Sequence, residues 1–177
     1  MADDDDARIR DPFWSAVHRR HPDLDIVLLP PEPPSDAESG QPHRAPEPFA
    51  RMQLEDMEHL WAALVGHGMP RRDTRWIPGP TPDSIRHTVT LTLDGVGSTA
   101  GIGHLREAIT ALKGDDWKVF TPPTGMPRVL ADRPGELGDE SLLFGYVPEQ
   151  NRLFARLTST GIPVDDRTAT DLIGGAA

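Results

Sequence analysis

The residues that come nearest to a chemical motif lie in the stretch DGVGSTAGIGH, residues 94–104. Gly95-Val-Gly-Ser-Thr-Ala100 matches the pattern Gly-x-Gly-x-x-(Gly/Ala). In dinucleotide-binding proteins this pattern joins a strand to a helix and lets the backbone approach a pyrophosphate. A strand-like run precedes the pattern here and an amphipathic run follows it. A phosphate site is therefore the first chemistry that the residues suggest.

Three other features of the sequence oppose a nucleotide site. Residues 89–93 alternate apolar side chains with Thr, whereas the first strand of a nucleotide fold is buried on both faces and apolar throughout. The acids about twenty positions on, Asp115 and Asp116, precede the next strand instead of ending it. His104 stands where a P-loop requires Lys. The pattern is thus more typical of a tight strand-to-helix connection.

In this simpler interpretation the glycine run is a structural junction. Asp94-Gly95 makes a turn, and Ser98 or Thr99 is predicted to cap the helix that follows. Free backbone N–H groups gather at a helix start and attract anions. The candidate anion-binding residues are therefore Gly97, Ser98 and Thr99.

A second group of residues is suited to binding a partner. Three arginines next to a tryptophan combine positive charge with a ring that can stack on a base or anchor a protein interface. We expect the arginines to lie in a polar loop, with the tryptophan opening an edge segment. Another tryptophan stands beside an N-terminal loop. The candidate partner-binding residues are Trp14, Arg71, Arg72, Arg75 and Trp76.

Patterns for catalysis or metal binding do not emerge elsewhere. His18 and His21 are three residues apart, but Pro22 ends the helix that would present them, and no third ligand is evident. No serine lies in a nucleophile elbow. The chain has no cysteine, which excludes a disulfide, a thiol nucleophile and a cysteine-ligated zinc. The sequence predicts no catalytic residue, no metal and no cofactor.

Composition narrows the class of protein further. The net charge of -10 argues against a nucleic-acid surface and favours a protein partner, of basic character if charge decides. The start MADDDDARIR lacks the basic and apolar regions of a secretory signal. The longest apolar run, residues 26–29, is far too short to cross a bilayer. We therefore expect a cytoplasmic protein without a transmembrane segment.

The chain divides into four parts by composition. Residues 1–29 are predicted to form an acidic tail and a short helix–strand arm, with the strand at 24–29. Residues 30–48 carry seven prolines and predict an extended linker. Residues 49–160 carry the periodic patterns of a folded domain. Residues 161–177 are predicted to form a flexible tail with a short helical turn near Asp171.

The folded part begins with a helix over residues 49–65, whose apolar positions are Leu54, Met57, Trp61, Leu64 and Val65. A strand at 85–93, a helix after the glycine run and three or four short strands follow, including a hairpin around residues 148–151. This order predicts an α+β fold, with a small antiparallel sheet of four to five strands and two helices packed on one face.

Three kinds of function fit these observations. The leading hypothesis is a non-catalytic acidic protein-interaction module, such as an adaptor, a secretion-associated chaperone or an immunity-type protein. A homo-oligomer is compatible with it. The alternative is a small-molecule or nucleotide-binding enzyme that uses the glycine-rich loop at 95–103. The third is an envelope-associated or exported domain that needs no cleavable signal.

Overall fold

The computed structural model describes residues 45–66, 68–81, 83–135 and 138–174, together with Arg20. Except for Arg20, they belong to the unit that spans Gln41–Ala177. The helices are α1 (Pro46–Val65), α2 (Ser98–Lys113) and α3 (Asp166–Gly174). The strands are β1 (Arg71–Pro78), β2 (Ser84–Asp94), β3 (Lys118–Phe120), β4 (Arg128–Gly135), β5 (Gly138–Val147), β6 (Arg152–Thr158) and β7 (Ile162–Pro163).

Within these residues the strands form a seven-stranded antiparallel sheet in the order β1-β2-β6-β5-β4-β3, and β7 pairs with the start of β2. The α+β class predicted from the sequence is confirmed. The expected count of four to five strands and two helices is wrong, because the described residues contain seven strands and three helices. The predicted hairpin around residues 148–151 is present as the β5–β6 connection.

The additional elements are the ones whose sequences carry little apolar periodicity. In β1 the first five residues are exposed, so the strand has no apolar alternation to reveal it. The predicted tail instead contains β7 and the nine-residue helix α3. Asp165 caps the start of this helix. Its carboxylate accepts one hydrogen bond from the backbone N–H of Thr168 (2.9 Å) and another from the Thr168 hydroxyl (2.7 Å).

The N-terminal predictions fall mostly outside the described residues. The arm over residues 1–29, including the strand at 24–29, lies there, as does the linker as far as residue 44. The last part of the expected linker is helical instead, because α1 begins at Pro46. Proline is favoured at this first helical position, where its missing N–H is not needed.

The main core lies between the sheet and the helices α1 and α2. Met57, Trp61 and Leu64 of α1 are buried against strand residues that include Phe144. The rings of Trp61 and Phe144 meet edge to face, with their centroids 6.5 Å apart. Trp117 is also buried in this core. The burial expected for Trp61, an apolar position of the first predicted helix, is confirmed.

A second, smaller core is closed by α3. Ile85, Ile162 and Val164 are buried there, and Leu172 and Ile173 of α3 pack against them. Ile85 lies on the same face of β2 as the core residues Val89 and Leu91, because strand side chains alternate between faces. All three described helices therefore cover one face of the sheet, which we call the helix face.

Candidate functional site

The opposite face of the sheet has no described helix over it, and we call it the outer face. The antiparallel register brings its residues into rows that cross the strands. One row runs from Asp73 through Thr90 and Arg156 to Leu143 and Leu130, and ends at Phe120. The neighbouring rows contain Arg75 with Thr88, and Arg71 with Thr92 and Phe154. The outer face thus combines threonine, arginine and apolar side chains, of which Thr88 and Thr92 are buried.

The charge of the outer face is opposite in sign to that of the chain. Its strands carry seven basic side chains, Arg71, Arg75, Arg86, Lys118, Arg128, Arg152 and Arg156. They carry four acidic ones, Asp73, Asp94, Asp132 and Asp139. The whole chain has a net charge of -10. Because salt screens charges over about 8 Å, a docked partner is influenced by this local positive excess more than by the charge of the whole chain.

Several of these arginines are held by hydrogen bonds. Arg152 Nε lies 2.6 Å from Asp94 Oδ1, and this hydrogen bond lowers the pKa of the Asp94 carboxyl. Arg156 Nε donates to the hydroxyl of Thr90 at 3.2 Å. Arg128 Nη1 donates to the carbonyl oxygen of Met126 at 3.1 Å. The outer face therefore presents oriented guanidinium groups and not only mobile charges.

Apolar side chains occupy the part of the outer face nearest to β3. Leu143 and Leu130 are neighbours across β5 and β4, and Phe120 continues the row with 59% of its surface exposed. The ring of Phe154 lies over Gly145, where an added Cβ would come within 2.7 Å of it. An apolar patch bordered by arginines is an arrangement found in protein interfaces.

The structure separates the candidate partner-binding residues. Arg71 and Arg75 are exposed on the outer face. Arg72 lies on the helix face, where its Nη2 is 2.8 Å from Glu58 Oε1. Trp76 also lies on the helix face, and the centroid of its ring is 4.7 Å from the centroid of the His87 ring. Trp14 lies outside the described residues.

The expected polar loop is wrong, since these arginines belong to β1. Strand alternation, and not sequence proximity, decides which of them share a surface. The same alternation is the sequence signal that could have separated Arg71 and Arg75 from Arg72. Because residues 71–75 were interpreted as a loop, the alternation of their side chains was not used.

The glycine-rich junction is explained by packing around one tyrosine. Gly95 has a φ of +79°, which a glycine adopts without strain. The hydroxyl of the buried Tyr146 donates to Val96 O at 3.0 Å and lies 3.2 Å from Ser98 Oγ. Gly101 lies against the Tyr146 ring, since an added Cβ would stand 2.5 Å from Cδ2. Backbone conformation at Gly95 and close packing at Gly101 therefore explain these two glycines without a ligand.

The start of α2 differs from the expected cap. Its N-cap residue is Gly97, without a side-chain cap hydrogen bond, so the prediction that Ser98 or Thr99 caps the helix is wrong. The hydroxyl of Ser98 faces Tyr146 instead. Gly97, Ser98 and Thr99 are all exposed, and their role in anion binding stays a prediction.

A buried polar pair under α1, formed by His87 and Gln53, was not identified from the sequence. His87 Nδ1 lies 2.7 Å from Gln53 Oε1, and both residues are buried. Burial lowers the pKa of His87 below its ordinary value of 6.5, so the ring is neutral near pH 7. Gln53 precedes Met57 and Trp61 at intervals of four, which is the spacing that could have indicated its burial.

This group does not form a catalytic arrangement. The nearby Ser159 uses its hydroxyl to accept from His87 N at 2.9 Å and to donate to Thr160 O at 2.7 Å. Its proton is therefore directed at a carbonyl and not at an imidazole, as a serine nucleophile would require. The group is a structural contact between α1 and the sheet.

A cleft of about 310 Å³ opens beside α1, with Asp56, His59, Asp115 and Arg133 on its wall. The guanidinium of Arg133 lies 4.7 Å above the Trp117 ring, and its Nε is 2.6 Å from Glu140. This arginine is thus occupied by contacts within the domain. Across the described ranges, no three His, Cys, Asp or Glu side chains cluster closely enough to hold a metal ion.

Comparison of the chain with protein-family models, with curated proteins and with solved structures gives no match in any of the three. Of the helices that the structure describes, none combines the length and apolar character that crossing a bilayer requires. The function of the protein therefore has to be inferred from its own surfaces, of which the outer face is the most distinctive.

Proposed function

We propose that this protein is a non-catalytic protein-interaction module that binds an acidic partner protein through its outer face. The observation that carries the proposal is the excess of basic side chains on this face of a strongly acidic chain. Such a field speeds association with an acidic surface and disfavours basic ones. An adaptor, a secretion-associated chaperone and an immunity-type protein all act by binding of this kind.

The partner's charge follows from the local surface and not from the composition. Composition alone favours a basic partner, because the chain carries 28 acidic against 18 basic residues. The acids of α1, Glu47, Glu55, Asp56 and Glu58, lie on the other side of the sheet from Arg75 and Arg156. A partner that approaches the outer face meets the arginines first, and the acidic side of the domain turns away from it.

The apolar part of the outer face, near β3, adds binding energy that charge does not supply. Hot spots of protein interfaces are enriched in aromatic residues and arginine, enclosed by a rim that excludes water. Phe120 and Phe154 provide the aromatic rings, and Arg128 and Arg156 border them. A protein partner is favoured over a nucleic acid because four carboxylates are interspersed with the arginines on this face.

Charge reversal on each side of the sheet tests the proposal. The bait is the full chain, carrying either Arg75→Glu with Arg156→Glu on the outer face or Arg106→Glu at an exposed site on α2. A stoichiometric partner from the native host should be retained by the α2 variant and lost by the outer-face variant. It should also bind more weakly at about 300 mM salt than at about 50 mM salt.

Two results would contradict the proposal. One is equal recovery of the partner by both variants, which would place the binding surface elsewhere. The other is binding of the purified chain to a single-stranded oligonucleotide that the outer-face variant loses, because that would assign the arginines to phosphate recognition.

A further inference from the structure

The two edges of the sheet differ in their capacity to accept another strand. At one edge β3 has three residues and is soon followed by Pro122 and Pro123, which cannot donate to a neighbouring strand. At the other edge β1 has eight residues, with its single proline at the last position, Pro78. Short strands and prolines protect an edge from pairing, and β1 has neither protection along its first seven residues.

The direction of the backbone groups of β1 follows from one hydrogen bond. Gly79 N donates to Ser84 O at 2.8 Å in the β1–β2 turn. Because hydrogen-bonded pairs recur every second residue in an antiparallel ladder, Arg71, Asp73, Arg75 and Ile77 direct their N–H and C=O groups toward β2. The N–H and C=O groups of Arg72, Thr74 and Trp76 therefore point away from the sheet.

A second hydrogen bond, on the far side of β2, agrees with this assignment. Ser159 N donates to His87 O at 2.9 Å, so the odd-numbered residues of β2 bond toward β6 and the even-numbered ones toward β1. Thr88, Thr90 and Thr92 are the β2 partners of the odd-numbered residues of β1. Among the described residues no strand pairs with the outer edge of β1.

The charge of β1 indicates which kind of strand fits that edge. Residues 71–75 hold three arginines and one aspartate, and all five are exposed. A second copy of β1 would set arginines near arginines, and like charges across strands are destabilising. An extended segment with carboxylates at alternate positions would instead place them beside Arg71 and Arg75, on the side that continues the outer face.

We propose that β1 accepts an acidic, extended segment of the partner as an additional strand of the sheet. This inference rests on the proposed function and names its binding mode. The outward backbone groups of Arg72, Thr74 and Trp76 pair with the main chain of the segment, and the arginines select its carboxylates. The segment extends the sheet beyond β1, and its side chains between the carboxylates lie on the helix face beside Arg72, Thr74 and Trp76.

The test uses the full chain and a synthetic peptide of alternating Glu and Val. Hydrogen exchange followed by NMR should show the amides of Arg72, Thr74 and Trp76 becoming protected when the peptide is added. A matched peptide with Lys in place of Glu should not protect them. A third peptide keeps every charge but carries N-methyl groups on the residues that face β1, and it should bind about tenfold or more weakly.

A variant of the chain gives an independent measurement. In Thr74→Pro one outward N–H is lost while the ladder with β2 is retained, because the amide of Thr74 does not bond to β2. This variant should keep the circular dichroism spectrum of the wild type and bind the Glu peptide about tenfold more weakly. Should it fail to fold, the N-methylated peptide still decides the question with the unaltered chain.

The two proposals fail in different ways. Unchanged exchange of the three amides at saturating peptide, or equal binding of the N-methylated peptide, overturns strand addition. If Arg156→Glu abolishes partner binding while Thr74→Pro leaves it intact, the outer face binds without strand addition and the proposed function stands alone. If neither substitution affects partner binding, both proposals are wrong.

Discussion

Replacing Gly101 by alanine tests the structural explanation of the glycine-rich junction. A Cβ at this position would lie 2.5 Å from Cδ2 and 2.7 Å from Cε2 of Tyr146, far inside van der Waals contact. Tyr146 has no exposed surface, and its hydroxyl donates to Val96 O at 3.0 Å. The ring cannot withdraw without losing this hydrogen bond or disturbing the core. Overpacking of this kind costs about 1–3 kcal/mol.

Gly103→Ala is the matched control, because it lies in the same helix and has open space around its Cβ. Alanine in place of glycine inside a helix stabilises by about 1 kcal/mol. This gain is common to both variants and cancels in the comparison. Gly101→Ala should therefore be less stable than Gly103→Ala by about 1–3 kcal/mol, which corresponds to a Tm lower by about 2–12 °C for a chain of this size.

Thermal unfolding followed by circular dichroism measures the difference between the variants. Tyr146 is the only tyrosine of the chain, so its ring resonances give an unambiguous local reading. They should shift in Gly101→Ala and stay in place in Gly103→Ala. A Gly101→Ala protein as stable as Gly103→Ala, with unshifted tyrosine resonances, would refute the explanation that Gly101 is required by the Tyr146 ring.

Three further outcomes are expected. Burial lowers the pKa of His87 in the folded chain, so as the pH drops this residue is protonated in the unfolded chain before it is protonated in the folded chain. Its contribution to stability is therefore fully present above pH 6.5 and is lost as the pH drops below that value. Urea unfolding at about pH 7 and about pH 5 should show a larger loss for the wild type than for His87→Gln, and parallel losses would contradict this. Asp165→Ala removes the cap of α3 and should speed hydrogen exchange in that helix, with a cost of about 1 kcal/mol, while Asp171→Ala should not. Tyr146→Phe should lower the free energy of unfolding by about 1 kcal/mol in urea titrations, and an unchanged value would show that the bond to Val96 contributes nothing.

The elements that the sequence predicted well are those with a buried stripe. Met57, Trp61 and Leu64 recur at helical spacing because one side of α1 must leave water, and the alternation in β2 has the same cause. β1 and α3 were predicted only in part, as an edge segment at Trp76 and a helical turn near Asp171, because their stability depends on neighbours. β1 is held by its ladder with β2, and α3 by a carboxylate cap and by contact with the second core.

The candidate sites show the same division. The arginines near residue 71 were recognised as a group that could bind a partner, since charge and residue type are visible in the sequence. Which of them act together was not visible, because β1 sends Arg72 toward Glu58 and leaves Arg71 and Arg75 on the outer face. Arg156, which lies on the same surface, is 81 positions from Arg75 along the chain.

The sequence by itself determined the fold class, the absence of cysteine chemistry and the structural character of the turn at Gly95. These follow from local periodicity, from composition and from the backbone freedom of glycine. Only the tertiary structure decided that the helices share one face of the sheet, that the opposite face is basic and that Gly101 is needed beside Tyr146. Each of these depends on the register between strands distant in sequence, and that register is set by cooperative packing of the whole domain.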